Sequence, residues 1–404
     1  MKVPQVDLSR TYQELEPEIL AAVEELLRSQ RMVLGPAVDR FEQSLAAWCG
    51  SLFAVGCGSG SDALVLALLA VGVKPGDEVV TTPFTFFATA GAVHRLGARP
   101  VFVDIDPRTF NINPALIEPA LTDRTKVILP VHLYGQPADM DPILALAARR
   151  GLAVVEDAAQ AIGARYLDRV AGTLGVVGCL SFYPSKNLGA AGDAGACLTD
   201  QESLVDLLRS LRVHGTEPGQ PYLHRHVGFN SRLDALQAVI LGVKMKRLSA
   251  WNETRRRLAQ YYTERLGYIS EVQAPHLADR CEHVFHQYVI RAQRRDELMK
   301  YLGEQGVEAR VFYPRPLHLQ ECFASLAHKE GDFPEAERAS REVLALPIFP
   351  GLTSEEQDHV VRNIWDFYAA AKSRVSVGGK AVSGKGAGRS VRGKKGQEPS
   401  LKGS

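Results

Sequence analysis

The chain has no apolar stretch reaching the roughly 18 residues a membrane-spanning helix needs, and Met1 to Asp7 lack the apolar run of a secretory signal. Both absences point to the cytoplasm, with no membrane partner. Cysteine is scarce: six residues in 404, with no C-x-x-C pair and no metal spacing with histidine. Cys49, Cys57, Cys179, Cys197, Cys281 and Cys322 therefore read as reduced core residues, and no metal site is expected. After Gly58-Ser59-Gly60 the third glycine of a dinucleotide fingerprint is missing, and no Gly-Lys-Ser/Thr follows as in a P-loop. A Rossmann-type oxidoreductase is thereby set aside. There is no internal repeat.

A content of 46% hydrophobic and 23% charged residues is ordinary for a globular chain long enough for two domains. Net charge is +1, but unevenly spread: from Ser373 onward there are eight Lys/Arg against one Glu. That tail, residues 373–404, is rich in Gly, Ser and Lys, too poor in apolar side chains to order itself, and reads as a solubilising extension with no nucleic-acid partner implied.

Helix and strand signals alternate along the body. Pro17 to Arg28 and Pro36 to Trp48 carry apolar residues at helical spacing, and Ser61 to Leu69 reads as an apolar helix opened by cap residues. Short β-type runs follow at Glu78–Thr82, Arg99–Asp104, Lys126–Val131, Ala153–Asp157 and Cys179–Tyr183. This alternation argues for a mostly parallel sheet covered by helices. Lys244 to Leu266 reads as a long helix joining a large domain, residues 1–245, to a smaller one, residues 246–372.

Lys186, in Ser181-Phe182-Tyr183-Pro184-Ser185-Lys186-Asn187, and Asp157, closing the run Leu152 to Asp157, are the pair that carries chemistry. Pyridoxal phosphate needs an amine for its aldehyde, an acid for its pyridine nitrogen and donors for its phosphate. Lys186 and Asp157 are candidates for the first two, because an apolar setting makes a lysine amine neutral and nucleophilic. The turn Gly58 to Ser61 before an apolar helix offers free N–H groups and a helix dipole to an anion, though a plain helix cap has the same form.

Six ordered segments resemble the pyridoxal-phosphate-dependent sugar aminotransferases of the DegT/DnrJ/EryC1/StrS family: Gly58–Leu64, Thr82–Thr89, Val155–Ala161, Ser181–Gly189, Val227–Asp234 and Tyr313–Gln320. The resemblance runs from about Val3 to about Ala370 and implies the type I fold of pyridoxal-phosphate-dependent transferases, a large mostly parallel-sheet α/β domain with a smaller C-terminal α+β domain. It also implies roles. Lys186 would hold the cofactor as a Schiff base and shuttle the proton, Asp157 would pair with the pyridine nitrogen, Gln160 would bond the phenolic oxygen and Phe86 would stack on the ring. Gly60, Ser61 and Ser181 would hold the phosphate, joined by Asn230 from the partner subunit of a homodimer with shared sites. Tyr313 and His318 resemble substrate-side residues; Arg232 would meet an anionic group of the substrate or form an ion pair with Asp234.

The activity so implied is transfer of an amino group from L-glutamate to a nucleotide-linked keto sugar, with the closest branch aminating position 3 of a UDP-linked sugar for amino-sugar or surface-polysaccharide synthesis. A different keto sugar, a cyclitol, or a non-catalytic regulatory protein on the same fold are the alternatives. The intact set of Lys186, Asp157, Gln160 and Ser181 argues against the last.

Overall fold

The computed structural model describes residues 1–378; most of the basic tail, from residue 379 on, lies outside the described residues. The final helix, Ser354–Gly378, continues past Ser373, where the sequence reading begins the tail.

A seven-stranded sheet organises the large domain, in the order Phe53–Cys57, Gly195–Thr199, Val177–Ser181, Ala153–Asp157, Thr125–Ile128, Glu78–Thr81, Arg99–Phe102. Gly195–Thr199 runs antiparallel to both neighbours and the other pairings are parallel. The strands are buried almost throughout, as a sheet with helices on both faces requires. Against one face lies the apolar helix Gly60–Ala70, buried nearly all round.

All five expected strands are present, Ala153–Asp157 with the expected bounds and the other four with slightly different ends. Two further strands, Phe53–Cys57 and Gly195–Thr199, escape sequence reading. Both are five-residue runs that include glycine and alanine, so they carry little β-branched signal. The first helix begins at Leu8, not near Pro17: Asp7 caps it through the Ser9 N–H at 3.0 Å, and Pro17 lies inside. The expected joining helix is in fact two, Ala235–Met245 and Leu248–Leu266, broken at Lys246–Arg247.

The smaller domain is an antiparallel sheet of Val272–Gln273, Tyr288–Ala292 and Val343–Leu346, with Tyr262, Leu298, Leu302 and Ile364 from its helices in one core. Val3 belongs to that core, bridging Val307, although it stands in the segment assigned to the large domain. Its N–H donates to the Gly306 carbonyl at 2.9 Å. Among the described residues, no helix is long and apolar enough to cross a membrane.

Side chains alternate on the strand Ala153–Asp157, so Asp157 and Glu156 face opposite ways. Glu156, wholly buried, accepts N–H bonds from Gly172 (2.8 Å), Leu174 (2.7 Å) and Gly175 (2.6 Å), and lies 2.8 Å from His132 Nε2. His132 Nδ1 accepts the Ala138 N–H at 3.1 Å, so the proton shared with Glu156 is on Nε2. Burial alone would raise the Glu156 pKa, but the His132 and backbone bonds outweigh it and hold the carboxyl below its ordinary value. Its stabilisation is therefore present above the ordinary carboxylate range and is lost as pH falls through the lowered folded value. Glu156→Gln, which leaves donors unpaired, is expected to cost about 2–4 kcal/mol in urea unfolding at neutral pH. The gap from wild type should narrow in acid; a pH-independent gap would show that packing, not charge, carries the effect.

Candidate active site

A cavity of about 520 Å3 opens at the C-terminal ends of the parallel strands, where helix N-termini and loops converge. Ser59, Gly60, Ser61, Phe86, Asp157, Gln160, Ser181, Lys186 and Tyr313 all line it. Eight sequence-predicted residues thus meet in one place, although they span positions 60 to 313.

Lys186 sits on a turn after the strand Val177–Ser181, its N–H bonded to the Tyr183 carbonyl at 2.8 Å. The next residue, Asn187, fixes that turn by donating to Asn252 Oδ1 (2.8 Å) and to the Val284 carbonyl (3.0 Å). Desolvation brings the Lys186 pKa down to about 8, while the Asp157 carboxylate pulls it back upward. Near neutrality a useful fraction of the amine is therefore unprotonated.

Asp157 ends its strand with one oxygen taking the Thr89 Oγ1 proton at 2.7 Å and the other the Ala159 N–H at 3.2 Å. Burial raises its pKa, with those bonds and Lys186 opposing. Gln160 accepts the Tyr134 N–H at 2.7 Å and donates to Tyr313 Oη at 3.0 Å. Phe86 is 55% exposed, leaving ring face free, and its centroid stands 6.1 Å from that of Tyr313. Burial pushes the Tyr313 phenol well above its usual range, so it is a neutral hydrogen-bonding group.

The anion cradle is the N-terminus of the helix Gly60–Ala70. Ser59 caps it by accepting the Asp62 N–H at 3.1 Å, which leaves the N–H groups of the first turn for a ligand. A Cβ at position 60 would stand 2.5 Å from Ser181 Cβ, so only glycine lets Ser181 and the helix end close together. An amine of lowered pKa, a buried carboxylate, a free aromatic face and a glycine-tight anion cradle are the groups pyridoxal phosphate requires, and they share one cavity.

Three predicted residues stand elsewhere. His318 is not on the cavity wall: the turn Leu317–Leu319 directs its ring inward, 2% exposed, against Phe333 and 3.1 Å from Glu337 Oε1. Asn230 is exposed and lies off the cavity of its own protomer. Arg232 is also off the cavity and makes no ion pair among the described residues, Asp234 included. Sequence reasoning missed Thr89, Tyr134, His286, Gln287 and Arg310. Thr89 had a signal, being four residues from Thr85 within a quoted segment, and the two hydroxyls lie 3.1 Å apart. The others come to the site through tertiary packing and carry no local pattern.

The sheet, the lysine turn and the glycine cradle define a pyridoxal-phosphate-dependent aminotransferase of the type I fold. The chain belongs to the DegT/DnrJ/EryC1/StrS aminotransferase family, whose model matches residues 13–365. A "Pleiotropic regulatory protein" of Geobacillus stearothermophilus is 53% identical over 91% of this chain and 99% of its own. The UDP-N-acetyl-3-dehydro-α-D-glucosamine 3-aminotransferase of Acidithiobacillus ferrooxidans is 46% identical over 88% of this chain and 95% of its own. The dTDP-3-amino-3,4,6-trideoxy-α-D-glucose transaminase of Streptomyces venezuelae is 44% identical over 89% of this chain and 94% of its own. Among solved structures, S. venezuelae DesV in complex with a ketimine intermediate superposes with a TM-score of 0.88 at 43% identity, covering 91% of this chain and 98% of that one.

Proposed function

We propose that this aminotransferase moves the amino group of L-glutamate to carbon 3 of a UDP-linked 3-keto sugar. The observation that carries the reading is the Lys186 amine, its pKa brought down to about 8, in one cavity with the buried Asp157. The relatives from Acidithiobacillus and Streptomyces, whose names both place the nitrogen at position 3, support the choice of carbon. UDP is preferred over dTDP on the slightly higher identity to the former.

Bound pyridoxal phosphate supplies an electron sink for the substrate's α-carbon. The chain supplies the rest. With the cofactor bound, Asp157 would hold a proton on the ring nitrogen, Gln160 and Tyr313 would hydrogen-bond the phenolic edge, and Phe86 would offer its ring face. The helix end at Gly60 and Ser61, with Ser181, would hold the phosphate. The Lys186 amine would hold the aldehyde group and move protons in both half-reactions.

The same reading makes the active unit a homodimer. Asn230 follows an arm, residues 216–229, on which Tyr222 and Val227 are each 94% exposed, a surface suited to a second copy. A monomer in solution would remove this part of the reading. The six free cysteines fit a reducing compartment, the cytoplasm.

The test is optical. L-Glutamate should bleach the yellow absorbance of the cofactor-loaded protein, and a UDP-linked 3-keto sugar should restore it faster than its dTDP-linked or 4-keto counterparts. Bleaching without restoration by any keto sugar would leave the cofactor chemistry and remove the acceptor. No response to glutamate would favour the regulatory role that the Geobacillus relative's name describes.

A further inference from the structure

His318 lies where no ligand reaches it, 2% exposed and off the cavity wall. Its polar contact is single: Nε2 donates to Glu337 Oε1 at 3.1 Å, and Nδ1 has no partner. Burial lowers its pKa more than Glu337 raises it, so near neutrality the ring is uncharged, with its one proton on Nε2. Glu337 is itself held. Its Oε1 and Oε2 take the Gly331 N–H at 2.8 and 3.0 Å, and it stands on the helix Pro334–Glu342. The N–H groups of Glu335 and Ala336, in the first turn of that helix, each bond to Asp104 at 2.9 Å, and Asp104 follows the edge strand Arg99–Phe102. The bond from His318 thus ties the turn Leu317–Leu319 to a helix fixed on the large sheet.

That turn reaches the cavity by two routes. Along the chain, Tyr313-Pro314-Arg315-Pro316 leads into it, and two prolines in so short a run stiffen the link. Tyr313, at the start of the run, takes the Gln160 Nε2 bond at 3.0 Å, and its ring centroid stands 6.1 Å from that of Phe86. Across the chain, the Leu317 N–H donates to the Pro83 carbonyl at 2.7 Å. Pro83 opens the segment that carries Phe86 and Thr89, the latter bonded to Asp157 at 2.7 Å. A displacement of Leu317 and His318 would therefore move Tyr313 and Phe86 together.

We propose that His318 is a positioning residue for the reaction: its bond to Glu337 pins the turn Leu317–Leu319, and through that turn it sets Tyr313 and Phe86 against the space the cofactor ring takes. The inference rests on the roles of Tyr313 and Phe86 in the function proposed above. His318 touches neither cofactor nor substrate. A shift of about 1 Å in a group that borders the reacting atoms can cost about a hundredfold in rate, so one buried bond behind the wall is enough to matter. The donated bond, more than the volume of the ring, carries the effect, because Glu337 is a buried acceptor that loses its side-chain partner when the imidazole goes.

Hydrogen exchange followed by mass spectrometry tests this on the protein without cofactor. His318→Phe keeps a ring and removes the donor, so exchange in residues 82–89 and 313–320 should quicken about tenfold, as for one lost bond to a charged group, while residues 152–158 exchange as in the wild type. Glu337→Gln should show the same pattern in milder form, and His318→Gln, which can still present an N–H to Glu337, should restore most of the protection. Loaded with pyridoxal phosphate, His318→Phe should be bleached by saturating L-glutamate about tenfold more slowly. Its yellow band should be displaced as in Tyr313→Phe, with no further displacement when the two substitutions are combined. Wild-type exchange in both stretches of His318→Phe and Glu337→Gln would overturn the proposal. So would equal defects in His318→Phe and His318→Gln, which would give the effect to packing of the ring. If exchange quickens as expected but Tyr313→Phe keeps the wild-type band, the role of Tyr313 at the phenolic edge falls while positioning by His318 stands.

Discussion

Lys186→Ala should still take up pyridoxal phosphate, yet turn over about 10⁴-fold more slowly, because the substitution removes both the covalent anchor and the proton carrier. The cofactor should then leave on gel filtration in denaturant, whereas it stays attached to the wild type after borohydride reduction. Appreciable transamination by the variant would take the catalytic role away from Lys186. The wild type carries a related signature. Its amine has a pKa near 8, so capture of added pyridoxal phosphate should accelerate about tenfold per pH unit up to pH 8 and level off above it. The direction follows from the sign of the shift: only the neutral amine attacks, and it predominates above the lowered value. A rise continuing to pH 10 would mean that burial does not perturb the amine.

The second large effect belongs to Asp157. Its carboxylate is buried, held by Thr89 and the Ala159 N–H, and raised in pKa by desolvation. Asp157→Asn keeps the shape and removes the charge, so the ring nitrogen loses its proton and the electron sink weakens. Bleaching of the loaded protein by L-glutamate in a single turnover should slow by about a hundredfold or more, with the lysine-bound cofactor still yellow. Thr89→Val should give a milder form of the same defect. Wild-type rates in Asp157→Asn would show that another acid serves the ring.

What sequence reading could reach follows physical lines. Asp157, Gln160, Ser181 and Lys186 lie in runs where strand, turn and functional group are contiguous, and the structure brings them together as expected. His318 sits in an equally recognisable run, but whether a side chain faces a cavity or the core depends on partners such as Glu337 and Phe333, which are distant signals. Arg310 is one arginine among 47 basic residues; only folding sets it on the cavity wall. The strands Phe53–Cys57 and Gly195–Thr199 were illegible for the opposite reason: burial on both faces removes the polar alternation that marks a strand, and their small residues remove the propensity.

The beginning of the chain has a mechanical meaning. Residues 3–6 are stitched into the small domain, with Val3 in its core and Gln5 Nε2 donating to the Leu346 carbonyl at 3.2 Å. The helix Leu8–Ser29 then starts on the small domain, through Arg10 and Glu356 at 2.7 Å, and ends packed on Ala235–Met245 of the large one. The polypeptide therefore crosses between the lobes twice, here and at Lys246–Arg247, and the strand pair Cys281–Glu282 with Arg165–Tyr166 ties them a third time. The cavity is walled from both lobes, by Asp157 and Lys186 from one and by His286 and Tyr313 from the other, so the ties that hold the lobes together also hold the two halves of the site together. A fusion at the N-terminus would load this strap, and a handle for purification or immobilisation belongs at the other end.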